Sequence, residues 1–204
     1  MSEASARRRT GRSKGDEREA LILDAVRTLL AEKSMAAVTI DDITQAAGIS
    51  RTSFYFYFPS KHAVLARLME EIGDRFVQTH DWLGTDGQSP ESLRAQLVGA
   101  ETIWRHNRPI MACSLQGYGE TYEPLAEFVH RIQQRFITGL ASKIERDRAA
   151  GLAPTGIEAT TLAGLVESVR EARLAQLAEM PEAEVADGLD ELVEAILRLI
   201  YGRI

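Results

Sequence analysis

The run Ser50-Arg51-Thr52-Ser53-Phe54-Tyr55-Phe56-Tyr57-Phe58-Pro59-Ser60 limits the possible folds more than any other part of the chain. By composition, five consecutive aromatics suggest a β-strand. The flanking residues argue otherwise. Ser50 can cap a helix start, Pro59 ends that helix, and Ser60 can cap the next. On a helix, Phe54 and Phe58 stand four apart and share a buried face, while Tyr55 and Phe56 point away from it. An exposed tyrosine and phenylalanine on so short a helix suit a partner better than solvent. A phenol can meet a phosphate oxygen, and a phenyl edge can meet a thymine methyl.

The preceding residues predict a second short helix. Thr39 can cap it and Asp42 can reach back. Ile40, Ile43 and Ala47 form its apolar side, and Gly48 stops it where a tight turn needs a conformation that is cheap only without a Cβ. A longer stripe from about Asp16 (Leu21, Ile22, Ala25, Val26, Leu29, Leu30) braces the pair on one side. The stripe Val64, Leu65, Leu68, Met69, Ile72 and Phe76 braces it on the other. Two short helices around a glycine, set between longer ones, make a helix-turn-helix.

Further stripes follow. Leu93, Leu97, Ala100 and Trp104 form one helix, stopping near Pro109. Leu125 through Ile144 stripe one long helix ending at the Gly151–Pro154 turn. Leu162 to Val169 and Val185 to Ile200 stripe two more. With no sheet-forming block, the chain is predicted to be all-α. The expected parts are a flexible basic arm over 1–15, a three-helix helix-turn-helix domain over 16–61, and a larger helical domain over 62–204. The net charge is -6, but it is unevenly spread. Residues 1–62 carry ten Lys and Arg against eight Asp and Glu, and the remainder fourteen against twenty-two. A polyanion is tolerated by the first part and repelled by the second. Arg7, Arg8, Arg9 and Arg12 could reach phosphates, or could simply belong to a frayed terminus.

No apolar run is long enough to span a membrane, and no secretory h-region follows the basic start. Cys113 is the only cysteine. It excludes an intramolecular disulfide and a cysteine-based zinc site within one chain, and it fits a reducing cytoplasm. Cys113 reads as a small buried residue or a thiol sensor. Enzyme signatures are weak: there is no His-Glu-x-x-His, and Gly151 to Gly156 has P-loop glycine spacing without the Lys and Ser/Thr. No enzyme activity, metal or cofactor is expected.

The stretch Thr39-Ile40-Asp41-Asp42-Ile43, through Ala46-Ala47-Gly48-Ile49-Ser50, to Phe58-Pro59-Ser60-Lys61 resembles the DNA-binding signature of TetR-family transcriptional regulators. FYFYFPSK, together with Glu145-Arg146-Asp147-Arg148, is similar to the EthR-type branch. The resemblance implies that Thr39 and Lys61 clamp the DNA backbone and that Tyr55 binds a phosphate. Ser50, Arg51, Thr52 and Ser53 would then start the recognition helix and reach base edges. Phe56 and Tyr57 fall where the family varies. Arg51 has the fork that pairs with guanine O6 and N7.

The resemblance further implies a ligand-responsive repressor of a near-palindromic double-stranded DNA operator, acting as a homodimer through helices at about 157–178 and 183–203. A small, largely apolar effector would enter the larger domain. Leu97, Glu101, Trp104, Phe128, Gln134 and Ile137 are the candidate ligand contacts, because aromatic stripes there carry polar residues one turn away. Trp104, Phe128 and Phe136 could equally be plain core, and His130 plain surface. An architectural DNA binder without a ligand, or a helical small-molecule binder with a vestigial helix-turn-helix, remain the alternatives.

Overall fold

The computed structural model describes residues 14–115 and 122–202. Most of the basic arm, including Arg7, Arg8, Arg9 and Arg12, lies outside them. The described residues form nine α-helices and one short 3₁₀ turn, with no strand among them. Two compact units divide between Val64 and Leu65.

In the first unit α1 spans Lys14–Glu32, α2 spans Ile40–Ala47 and α3 spans Arg51–Tyr57. Ile22, Val26, Met35, Val38, Ile43, Phe54 and Val64 are almost fully buried and make the core. The expected α1 stripe is shifted: Leu21 is exposed and Leu23 is buried in its place. Thr39 closes a capping box on α2, its side chain accepting from Asp42 N and its backbone N–H donating to the Asp42 carboxylate. Gly48 ends α2 at φ 64°, a left-handed conformation that a side chain would strain. Ser50 accepts from Ser53 N at the start of α3, and Ser60 accepts from Ala63 N at the start of α4.

Helix α4 (Lys61–Val77) runs on into the second unit. There the 3₁₀ turn His80–Gly84 precedes α5 (Pro90–His106), α6 (Arg108–Leu115), α7 (Glu123–Ala149), α8 (Ala159–Glu179) and α9 (Glu182–Tyr201). Helix α8 packs on α7, α5 and α9, and α5 also packs on α9. The expected stop near Pro109 is a break between two helices, α5 ending at His106 and α6 beginning at Arg108. Proline occupies the first turn of α6, where its missing N–H has no intrahelical partner to lose. Gly73 sets the approach of α4 to α7, since a Cβ there would stand 2.6 Å from Phe128 Cζ.

The tetrapeptide Glu145-Arg146-Asp147-Arg148 has a structural task. Lys143 and Asp147, both fully buried, pair at 3.1 Å on α7. Lys143 Nζ also donates to Thr85 O (2.7 Å) and Gly87 O (2.8 Å) and lies over the Trp82 ring. Asp147 accepts from Gly87 N, and the Tyr201 hydroxyl lies 2.7 Å from its carboxylate. Arg146 donates to Leu83 O and Thr85 O, and Arg148 to Pro154 O and Ile157 O. Burial, then Asp147, pushes the Tyr201 phenol up.

Candidate nucleic-acid interface and ligand cavity

Helix α3 has two faces. Phe54 and Phe58 are buried, and their rings lie 6.3 Å apart at the centroids. Arg51, Thr52, Tyr55 and Phe56 are exposed, at positions that share the opposite face. Phe56 is 82% exposed, too much for a core residue and unusual for plain surface. The face therefore presents a guanidinium, hydroxyls and two aromatic rings on a short rigid helix, the equipment for phosphate and base-edge contacts. Ser53 and Tyr57 are half-buried at its margins, and Ser50 is exposed at its start.

Neighbouring charges hold this face in place. Arg51 Nη1 lies 3.0 Å from Asp41 on α2, with both side chains largely exposed. Tyr55 and then Asp41 favour the charged guanidinium. Asp42 pairs with Lys33 at 2.7 Å and accepts from the Thr39 hydroxyl at 2.7 Å. Lys33, then Thr39, hold its carboxyl well below the usual range. Thr39 is exposed, but its hydroxyl is already engaged with Asp42. Lys61 Nζ donates to Met35 O (2.7 Å), Ala36 O (3.1 Å) and Val38 O (2.6 Å), so its charge braces the α1–α2 connection. Lys33 gave no sequence signal, because its partner lies across a turn.

The second unit contains a cavity of about 70 Å³. Its apolar wall includes Met69, Ile72 and Phe76 of α4, Trp104 of α5, and Phe128 and Phe136 of α7. Its polar groups are His80, Gln133, Glu167, Arg170 and Glu171. Trp104 and Phe128 are thus the expected ligand contacts that the cavity brings together. Leu97, Glu101, Gln134 and Ile137 are not among the residues lining it. Leu97 is core, and Glu101 is buried in an ion pair with Arg105 at 2.6 Å. Gln134 is exposed on α7, as is His130, and its neighbour Gln133 lines the cavity instead. Adjacent residues on a helix point about 100° apart, so an error of one position in the facing stripe exchanges wall for surface. The α8 groups and the α4 wall were missed because stripes identify buried faces without saying which faces meet. Cys113 is buried, and no His, Cys, Asp and Glu cluster among the described residues could hold a metal.

An all-helical chain whose helix-turn-helix presents such a face has the organisation of a helix-turn-helix transcriptional regulator. The family described as "Bacterial regulatory proteins, tetR family" matches residues 22–68, and "Transcriptional regulator EthR, C-terminal domain" matches residues 93–202. The chain belongs to the TetR family of helix-turn-helix transcriptional regulators, with a C-terminal domain of the EthR type.

Among curated relatives, it is 35% identical over 168 residues to the HTH-type transcriptional regulator EthR of Mycobacterium tuberculosis (strain ATCC 25618 / H37Rv), covering 80% of this chain and 77% of that protein. The EthR of Mycolicibacterium smegmatis is 34% identical over 80% of this chain and 76% of that protein. Among solved structures, GusR of Salmonella enterica has a TM-score of 0.68 at 18% identity, covering 91% of this chain and 98% of that one. FadR of Bacillus subtilis, solved in complex with stearoyl-CoA, has a TM-score of 0.67 at 14% identity, covering 87% of this chain and 98% of that one. No helix among the described residues is long and apolar enough to cross a membrane.

Proposed function

We propose that this regulator is a ligand-responsive repressor. It binds a near-palindromic operator as a homodimer in the cytoplasm and is released when a small, largely apolar molecule enters the cavity of the second unit. The observation that carries this reading is the composition of α4. Lys61, at its start, anchors the α1–α2 connection of the helix-turn-helix, while Met69, Ile72 and Phe76 line the cavity. A ligand pressing on those side chains acts on the helix that begins at the DNA-binding unit. About 70 Å³ holds a few water molecules at most, far below the roughly 300 Å³ of a small drug-sized site. Ligand entry therefore widens the cavity, and a ligand that binds only the widened state shifts the population toward it. FadR, of the same fold, was crystallised with a ligand carrying a long acyl chain, which supports an apolar effector here.

DNA contacts follow from the exposed face of α3. Arg51 reads a base edge after exchanging Asp41 for guanine, with Ser50, Thr52 and Ser53 beside it. Tyr55 meets a phosphate, and Phe56 and Tyr57 complete the surface. The test is selection of bound duplexes from a random pool by the full chain, followed by titration of the selected site. A two-fold-related sequence is expected. Arg51→Ala should weaken its binding by about 1–3 kcal/mol per half-site and relax preference at one base position. Binding without any sequence preference would leave an architectural role and overturn the repressor reading.

A further inference from the structure

The charges on the cavity wall do not cancel. Glu167 and Arg170 are both buried and satisfy each other, with Arg170 Nε 2.6 Å and Nη2 2.8 Å from the two carboxylate oxygens. The same guanidinium lies 4.3 Å from the centroid of the Phe136 ring, which fixes its plane. Glu171 lies one turn beyond Glu167 on α8 and also lines the cavity. Among the described residues it has no cationic partner within salt-bridge distance, and its carboxyl accepts only from Gln133 Nε2, at 3.2 Å and 3.5 Å. His80 does not supply the missing charge. Burial, then Arg170 and Arg135, hold its imidazole down at about 4, so it is neutral near neutral pH. Burial, then Glu167, push the Glu171 carboxyl up, and Arg170 and Gln133 offset this only in part.

We propose that the cavity takes a small amphipathic organic cation, whose protonated amine pairs with the Glu171 carboxylate while its apolar body lies against Met69, Ile72 and Trp104. This rests on the ligand-responsive reading and adds the chemical class of the ligand. An anionic ligand would enter beside two carboxylates and compete with Glu167 for a guanidinium already held by two hydrogen bonds. A neutral ligand would leave Glu171 half-buried beside a like charge. A cation removes that imbalance and turns a weak amide contact into a charge-assisted hydrogen bond. Met69 and Met111 line the space that must open, and their flexible side chains let its wall adapt to the shape of the ligand.

The test uses three probes with the same apolar body: phenylbutylamine, phenylbutanol and phenylbutyrate. Each is titrated calorimetrically into the full chain and into Glu171→Gln, which keeps the side-chain shape. The amine should bind the wild type about tenfold or more tighter than the alcohol, with the acid weakest. Glu171→Gln should lose the preference for the amine and keep its affinity for the alcohol, which shows that the variant is folded and its cavity intact. The inference is overturned if the acid or alcohol binds the wild type best, if none of the three binds, or if Glu171→Gln keeps the order of affinities. A separate measurement adds the amine to the protein–DNA complex. Amine binding that leaves DNA affinity unchanged would sink the ligand-responsive reading while upholding the charge preference of the cavity.

Discussion

Lys61 and Arg51 are both cations of the helix-turn-helix, and their surroundings give them different work. An ammonium has three protons, and Lys61 directs all three at backbone carbonyls between α1 and α2. The family resemblance implies a phosphate clamp at this position, but a phosphate would have to displace one of these carbonyls. Arg51 is held by Tyr55 on its own helix and by an exposed Asp41, contacts worth little in water and easily exchanged. Lys61→Met should therefore lower stability by about 1–3 kcal/mol in urea denaturation. It should also weaken operator binding without changing the dependence of log K on log salt. A loss of about one unit from that slope would restore the phosphate role. Which residue types stand at these positions is plain in the sequence. Which partner each has chosen is not, because Lys61 reaches carbonyls more than twenty residues away.

At the level of elements, helix α7 is tied to the loop before α5 and to the end of α9 through one buried cluster. Lys143 and Asp147 are four apart, and on periodicity alone they pass for a solvated pair on a charged helix end. In the fold they are fully buried, and Tyr201 and Gly87 complete their hydrogen bonding. Removing one charge from a buried pair leaves the other uncompensated. Asp147→Asn should therefore cost about 3–5 kcal/mol in equilibrium unfolding. Lys143→Met with Asp147→Leu should cost less than the single change, which a double-mutant comparison would detect. The cluster also explains what the sequence could and could not reveal. The caps at Thr39, Ser50 and Ser60, the turn at Gly48 and the inward Phe54 and Phe58 are local features, legible from spacing. Pro109 is legible as a break between helices, since it stops one helix and equally suits the first turn of the next. The cavity wall depends on which stripes face each other, so Trp104 and Phe128 were within reach while Glu167, Arg170 and Glu171 were not.

For the whole molecule, the remaining question is what covers the apolar residues that α8 and α9 leave in solvent. Leu165 and Val169 stand one turn apart on α8 and are 49% and 41% exposed, and Leu199 of α9 is 45% exposed. Leu192 and Ile196, the positions that the stripe of the last helix brings forward, are 2% and 1% exposed and belong to the protomer's own core. Charging those two would unfold the chain rather than separate subunits. The exposed set is the informative one, since a second copy applied across a two-fold axis would bury the same patch on both sides. The full chain is expected to sediment as a dimer at micromolar concentration. Leu165→Glu with Val169→Glu should shift it to monomer with its helical circular dichroism unchanged, because neither side chain is buried in the protomer. Operator affinity should fall with the dimer, since two linked recognition helices gain from a shared effective concentration that separate ones lack. The two helices must also match about one DNA turn, roughly 34–36 Å. Binding of the monomeric variant to a single half-site should match that of the wild type. A wild type that sediments as a monomer, or a double variant that remains dimeric, would place the interface elsewhere.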